Sequence, residues 1–112
     1  MTEDVFTALA DPTRRRVLDL LATHGSGTAT SLAAELPVSR PAVIKHLAVL
    51  DRAGLVAAQR QGREVRYVVQ PRPLQETAQW MARLAAEWDA RLAAVKALAE
   101  AAGDAPGDRV IK

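Results

Sequence analysis

Apolar residues recur at helical spacing along most of this chain and alternate at spacing two in only one short stretch. Val5, Phe6, Leu9 and Ala10 predict a first short helix, ended by Asp11-Pro12. Asp11 suits an N-cap and Pro12 the first position of a second helix, with Val17, Leu18, Leu20, Leu21 and Ala22 as its apolar face and Gly25 as its stop. Gly25-Ser26-Gly27 reads as a loop. Thr28 suits the cap of a third helix that turns Leu32, Ala33 and Leu36 inward and ends at Pro37. Ser39 caps a fourth helix running to about Ala53, and Gly54 is its left-handed stop. Leu55 to Gln59 and Glu64 to Val69 have strand character, with Val65, Tyr67 and Val69 alternating and Gln61-Gly62-Arg63 as the hairpin tip. From Leu74 to Ala102 there is no proline or glycine, and Leu74, Ala78, Met81, Leu84, Ala85, Trp88, Leu92, Val95, Leu98 and Ala99 form the stripe of one long amphipathic helix. The expected organisation is one domain over residues 1–102 and a flexible C-terminal tail over 103–112.

The fourth helix carries the most informative pattern. Val43, Leu47 and Leu50 share one face, while Arg40, Pro41, Ile44, Lys45 and Ala48 share the other. The inner stripe is placed to pack on the second and third helices, and the outer one is left to meet a partner. A basic helix held this way through a tight turn is how helix-turn-helix proteins reach base edges in the major groove, chiefly with the N-terminal part of the helix. Here that part supplies Arg40, Pro41, Ile44 and Lys45. Arg40 is suited to a bidentate pair with guanine and Ile44 to a thymine methyl, and the helix start at Ser39 suits a phosphate. The hairpin that follows adds Arg60, Arg63 and Arg66, expected to cluster at its tip like the wing of a winged helix and to contact phosphates or the minor groove. His46, at the edge of the inner stripe, is read as packed or phosphate-facing, and Arg52 completes the basic set.

Charge agrees with that placement. The net charge is only +2, but residues 39–72 hold seven basic side chains against two acidic, residues 1–38 three against five, and residues 73–112 five against six. A basic island between mildly acidic flanks fits a polyanionic partner for one face. The chain of 112 residues is most simply one small domain, and its alanine- and leucine-rich composition favours helices. With no cysteine, disulfides and thiolate chemistry are excluded. Neither a signal-peptide pattern nor a membrane-spanning stretch is present, so a soluble cytoplasmic protein is expected.

At 1.5 Å per residue the last helix is about 43 Å long, more than a small body covers. Pairing its far stripe across a two-fold axis would cover Met81, Trp88, Leu92 and Val95, and Phe6 and Leu9 of the first helix are expected to join that dimer interface. Trp80, Met81 and Trp88 suit packing or, alternatively, the lining of a ligand pocket.

These motifs, ALADPTRRRVLDLL at Ala8–Leu21, LPVSRPAVIKHLAVLDRAGLV at Leu36–Val56 and GREVRY at Gly62–Tyr67, resemble the ArsR/SmtB family of winged helix-turn-helix repressors over about residues 3 to 100. The resemblance implies a mainly α fold with a small β-hairpin, in the order of four helices, two strands and a fifth helix, and a homodimer through the first and last helices. It also implies a repressor bound to a double-stranded, palindromic DNA operator and released by an effector. Metal-sensing members often carry cysteines near the start of the third helix, where this chain has Thr28 and Thr30, or acids and histidines along the last helix. That helix here has Glu76, Glu87, Asp89 and Glu100 but no histidine. The resemblance therefore points to the non-metal branch: no metal site, no cofactor and an unidentified small-molecule effector.

Two other readings compete. One is an αα-hairpin and β-hairpin that bind no nucleic acid, with the long C-terminal helix docking another protein. The other, an enzyme, lacks a nucleophile–base pair, a phosphate-cradling glycine loop and a ligand cluster, so no catalytic residue is assigned.

Overall fold

A computed structural model describes residues 2–103, which divide into a body ending at Thr77 and a helical unit from Ala78 onward. The body begins with α1 (Thr2–Leu9) and α2 (Pro12–His24). Asp11 caps α2 by accepting from the backbone N–H of Thr13 at 2.7 Å and of Arg14 at 3.3 Å. The helix closes at Gly25, whose N–H donates to the Leu21 carbonyl at 2.8 Å. Then come β1 (Gly27–Thr28), α3 (Ala29–Ala33) and α4 (Arg40–Arg52). Thr28 and Ser31 form a capping box at the start of α3, each side chain taking the other's backbone N–H at 3.0 and 2.9 Å. Ser39 caps α4 through the Ala42 N–H at 3.2 Å.

The end of α4 is a Schellman motif. Gly54 has φ +76, its N–H donates to Asp51, and the Leu55 N–H reaches back to the Leu50 carbonyl at 2.9 Å. Leu50 and Leu55 are both fully buried, supplying the apolar contact that accompanies this motif. Leu55 is thereby drawn into the helix stop, and the strand expected to begin there begins one residue later.

Strands β2 (Val56–Gln61) and β3 (Glu64–Val69) pair antiparallel from Val56↔Val69 to Gln61↔Glu64. Gln61 belongs to the ladder, so the tip is the two-residue loop Gly62-Arg63, with φ +62 at Gly62 as a type II′ turn needs. The expected two-stranded hairpin proves to be a three-stranded sheet of order β1-β3-β2, because Gly27 pairs with Tyr67 and Thr28 with Arg66. Two residues are too few to show an alternation, and their strand character depends on β3 lying alongside. Gly27 is also tightly enclosed: a Cβ there would lie 3.0 Å from the Leu21 side chain.

The core joins all of these elements. Val17, Leu21, Leu32, Val43, Leu47, Leu50 and Leu55 have almost no exposed surface, so the inner stripe expected on the fourth helix is the one buried. Helix α3 is shorter than expected, ending at Ala33, although Leu36 is still buried. Pro37 disfavours helical backbone at Leu36, and the chain reaches it through turns in which Glu35 bonds to Leu32 and Leu36 to Ala33.

Helix α5 runs over Arg72–Gly103. Gly103 is thus the last residue of α5 rather than the first of a tail, and residues 104–112 lie outside the described residues. Every described residue from Ala78 is exposed, including Met81, Trp88, Leu92 and Val95, the last two to about 60%.

Candidate nucleic-acid interface

The first turn of α4 forms one wall of a groove of about 580 Å³; the start of α3 and strand β3 complete it. Arg40 and Ile44 point into it from α4, and Arg63 and Arg66 border it from the turn and β3. Ser39 sets this geometry by starting α4 with its second residue, Pro41, already shaped for a helix. The buried face of Val43, Leu47 and Leu50 then turns Ile44 outward, leaving this branched apolar side chain 41% exposed.

Two of the groove's cations are anchored. The Arg40 Nε–H donates to Thr30 Oγ1 at 3.0 Å. Arg66 donates from Nη1 to Ser26 Oγ at 3.0 Å and lies 3.4 Å from the Glu64 carboxylate through Nε. Ser26 directly precedes β1 and Thr30 lies in the first turn of α3, so the segments flanking the strand that the apolar pattern did not reveal support the basic face. Arg63 occupies the exposed second position of the hairpin turn.

Other residues of the expected set are dispersed. Pro41 and Lys45 are exposed on α4 but do not line the groove. Arg60 pairs with Val65, and Arg66 with Gln59. Cross-strand partners share a face and successive residues alternate, so Arg60 and Arg66 project from opposite faces of the sheet. The expected cluster of three arginines therefore reduces to Arg63 and Arg66 at the groove. Arg52 lies about 18 Å along α4 from Arg40, in a separate pocket of about 290 Å³ with Asp4, Gly54, Pro73 and Glu76. His46 is half-buried and turned toward α2, with Nδ1 3.3 Å from Arg14 Nη1. It is packed, not directed into the groove. Leu9, expected at an interface, is partly buried against the chain's own core, whereas Phe6 is 40% exposed.

Sequence reasoning passed over Arg14 and Arg15. Arg14 donates to the carbonyls of Ala8 at 2.7 Å and Thr7 at 3.1 Å, and Arg15 donates to Leu9 at 2.6 Å. Three terminal carbonyls of α1 are thus met by side chains from α2, and that of Thr7 also takes the Ala10 backbone N–H at 3.3 Å. Basic residues directly after the Asp11-Pro12 boundary were the available signal. Beside them, partial desolvation raises the Asp11 carboxyl's pKa, but the Thr13 and Arg14 N–H groups, with His46 and the Arg14 charge, outweigh it. The net effect is a pKa below the ordinary carboxylate value.

Among the described residues no group of three or more His, Asp or Glu is arranged to hold a metal ion, and no helix is long and apolar enough to cross a membrane.

The comparisons with known proteins agree with this fold. A family model described as a helix-turn-helix domain matches residues 9–58. The transcriptional repressor SdpR of Bacillus subtilis (strain 168) is 37% identical over 78 residues, covering 70% of this chain and 86% of the relative. The HTH-type transcriptional regulator Rv2034 of Mycobacterium tuberculosis is 48% identical over 64 residues, covering 57% of this chain and 59% of the relative. Among solved structures, an ArsR-like transcriptional regulator from Rhodococcus sp. RHA1 superposes with a TM-score of 0.79 at 45% identity, over 87% of this chain and 91% of that one. A basic groove between helix and wing, on a framework shared with these regulators along most of its length, makes the chain a member of the ArsR/SmtB family of winged helix-turn-helix, DNA-binding transcriptional regulators.

Proposed function

We propose that the protein is a cytoplasmic repressor that binds a palindromic DNA operator as a homodimer. The observation that carries this reading is the groove in which Arg40 and Ile44 of α4 face Arg63 and Arg66 of the wing. A recognition helix contributes hydrogen-bond forks and apolar contacts to base edges, and a wing contributes charge to phosphates. Arg40 and Ile44, with Ser39, Pro41 and Lys45 beside them, read the major groove. Arg63 and Arg66 hold the backbone, and Arg60 meets phosphates from the other face of the wing.

The homodimer follows from the exposed stripe of α5. Met81, Trp88, Leu92 and Val95 repeat at helical spacing, and a second copy burying the same stripe makes an isologous interface, to which Phe6 contributes. Two recognition helices then address half-sites about one helical turn, ~10 bp, apart. Bound there, the dimer obstructs RNA polymerase. With threonines at Thr28 and Thr30 and no histidine in α5, release is assigned to a small non-metal effector.

Fluorescence anisotropy on the DNA upstream of its own gene, repeated across a salt series, tests this reading. Affinity should fall steeply and linearly on a log–log scale as counterions compete. Binding that is absent or indifferent to salt refutes it. Capture of an unrelated protein through α5 with no DNA footprint supports the docking-module reading instead.

A further inference from the structure

We propose that Thr30 is a positioning residue for base readout by Arg40, a step that rests on the DNA-reading role given above to α4. An arginine side chain has many rotamers, and its guanidinium can approach a guanine either through its two terminal nitrogens or side-on through Nε and one Nη. Here the Arg40 Nε–H is already committed to Thr30 Oγ1 at 3.0 Å. The bond removes the side-on mode and leaves the Nη1–Nη2 edge as the fork for O6 and N7. It also orders the side chain before DNA arrives, so less freedom is lost on binding.

The Thr30 hydroxyl is well separated from the machinery that builds its own helix. The capping box uses Thr28 and Ser31, and the Thr30 backbone carbonyl, not its side chain, receives the Ala34 N–H. Thr30 is exposed at the rim of the groove that Arg40 and Ile44 line. Its hydroxyl can therefore be removed without emptying the core or uncapping α3, and what is lost is the restraint on Arg40. Lysine at position 40 would forfeit the arrangement, having neither an Nε–H to hold nor a planar fork to present.

The test begins by selecting a preferred duplex from a pool of randomised duplexes with the wild-type protein. Affinities are then measured for that duplex and for single-base-pair variants of it, with the wild type, Thr30→Val, Thr30→Ser, Arg40→Ala and the Thr30→Val/Arg40→Ala double variant. Thr30→Val is expected to reduce discrimination at one base pair per half-site about tenfold, the scale of a hydrogen bond to a charged group. Its unfolding midpoint and salt slope should stay at wild-type values, and Thr30→Ser should restore discrimination. In the Arg40→Ala background Thr30→Val should change nothing. The proposal is overturned if Thr30→Val leaves discrimination intact, weakens all duplexes alike, or keeps its effect when Arg40 is absent, since that last result means Thr30 touches DNA itself. A wild type that selects no duplex overturns the DNA-reading role and this inference together, an outcome distinct from the other three.

Discussion

Arg14 Nη1 and His46 Nδ1 meet at 3.3 Å, joining the first turn of α2 to the middle of the recognition helix across 32 residues of sequence. Arginine has only donors, so a hydrogen bond between these two atoms uses Nδ1 as its acceptor. The same guanidinium holds the Thr7 and Ala8 carbonyls. One side chain thus ties α1, α2 and α4 together. Arg14→Met should lower stability by about 2 kcal/mol, since three acceptors, two of them in partly buried bonds, lose a charged donor at once. Arg14→Lys should recover little, because an ammonium does not reproduce the planar fork. Urea unfolding monitored by far-ultraviolet circular dichroism measures both.

Acid should weaken the α2 cap through Asp11. Its carboxyl lies below the ordinary value in the folded chain. The stability it contributes is therefore complete above the unfolded-state value near 3.8 and is lost as pH falls through the lower folded value. Asp11→Asn keeps an acceptor for the Thr13 and Arg14 N–H groups but does not titrate. Its unfolding free energy, followed from neutral to acid pH, should lack the Asp11 component of the wild-type decline.

At Gly27 the obstacle is space, since the Leu21 side chain already stands 3.0 Å from where a Cβ would go. Gly27→Ala should destabilise the body by about 1–3 kcal/mol through overpacking. Gly54→Ala should cost about 1–2 kcal/mol for a different reason, its φ of +76, as the nearest side-chain atom to the new Cβ is a tolerable 3.5 Å away. Crystal structures of the two variants separate the causes: neighbours should shift around the new methyl group in Gly27→Ala and stay in place around the one in Gly54→Ala.

Arg63 and Arg40 should fail differently. Arg63→Ala removes charge at the exposed wing turn, so binding should weaken on every duplex alike and the salt slope should fall by about one. Arg40→Ala should cost about 1–3 kcal/mol on the preferred duplex and little on others, relaxing specificity. Anisotropy titrations on matched and mismatched duplexes distinguish the two.

Charge placed in the α5 stripe should dissolve the proposed dimer. Leu92→Glu and Val95→Glu lie on an exposed helix face, so the chain itself should keep its unfolding midpoint at low concentration. Sedimentation velocity should show a monomer, and operator affinity should drop as two half-sites cease to be bound together. A variant that stays dimeric removes α5 from the interface.

The helices were legible because their signals are local. Asp11, Thr28 and Ser39 as caps, Gly25 and Gly54 as stops, and the Val43–Leu47–Leu50 face each act within a few residues of chain, and the structure contains all of them. The basic bias of residues 39–72 likewise needed only counting. Which of those cations share a surface was a different question. Strand register sent Arg60 and Arg66 to opposite faces, helix length carried Arg52 away from Arg40, and His46 turned to a partner in α2. Strand β1 exists only because β3 offers it hydrogen-bond partners, and Ser26 holds Arg66 across 40 residues of sequence. Sequence alone determined the five helices, the two hairpin strands and the sign of the charge, because these depend on near neighbours along the chain. Tertiary structure decided which arginines form the groove and what holds them, because those contacts arise only once distant segments have packed together.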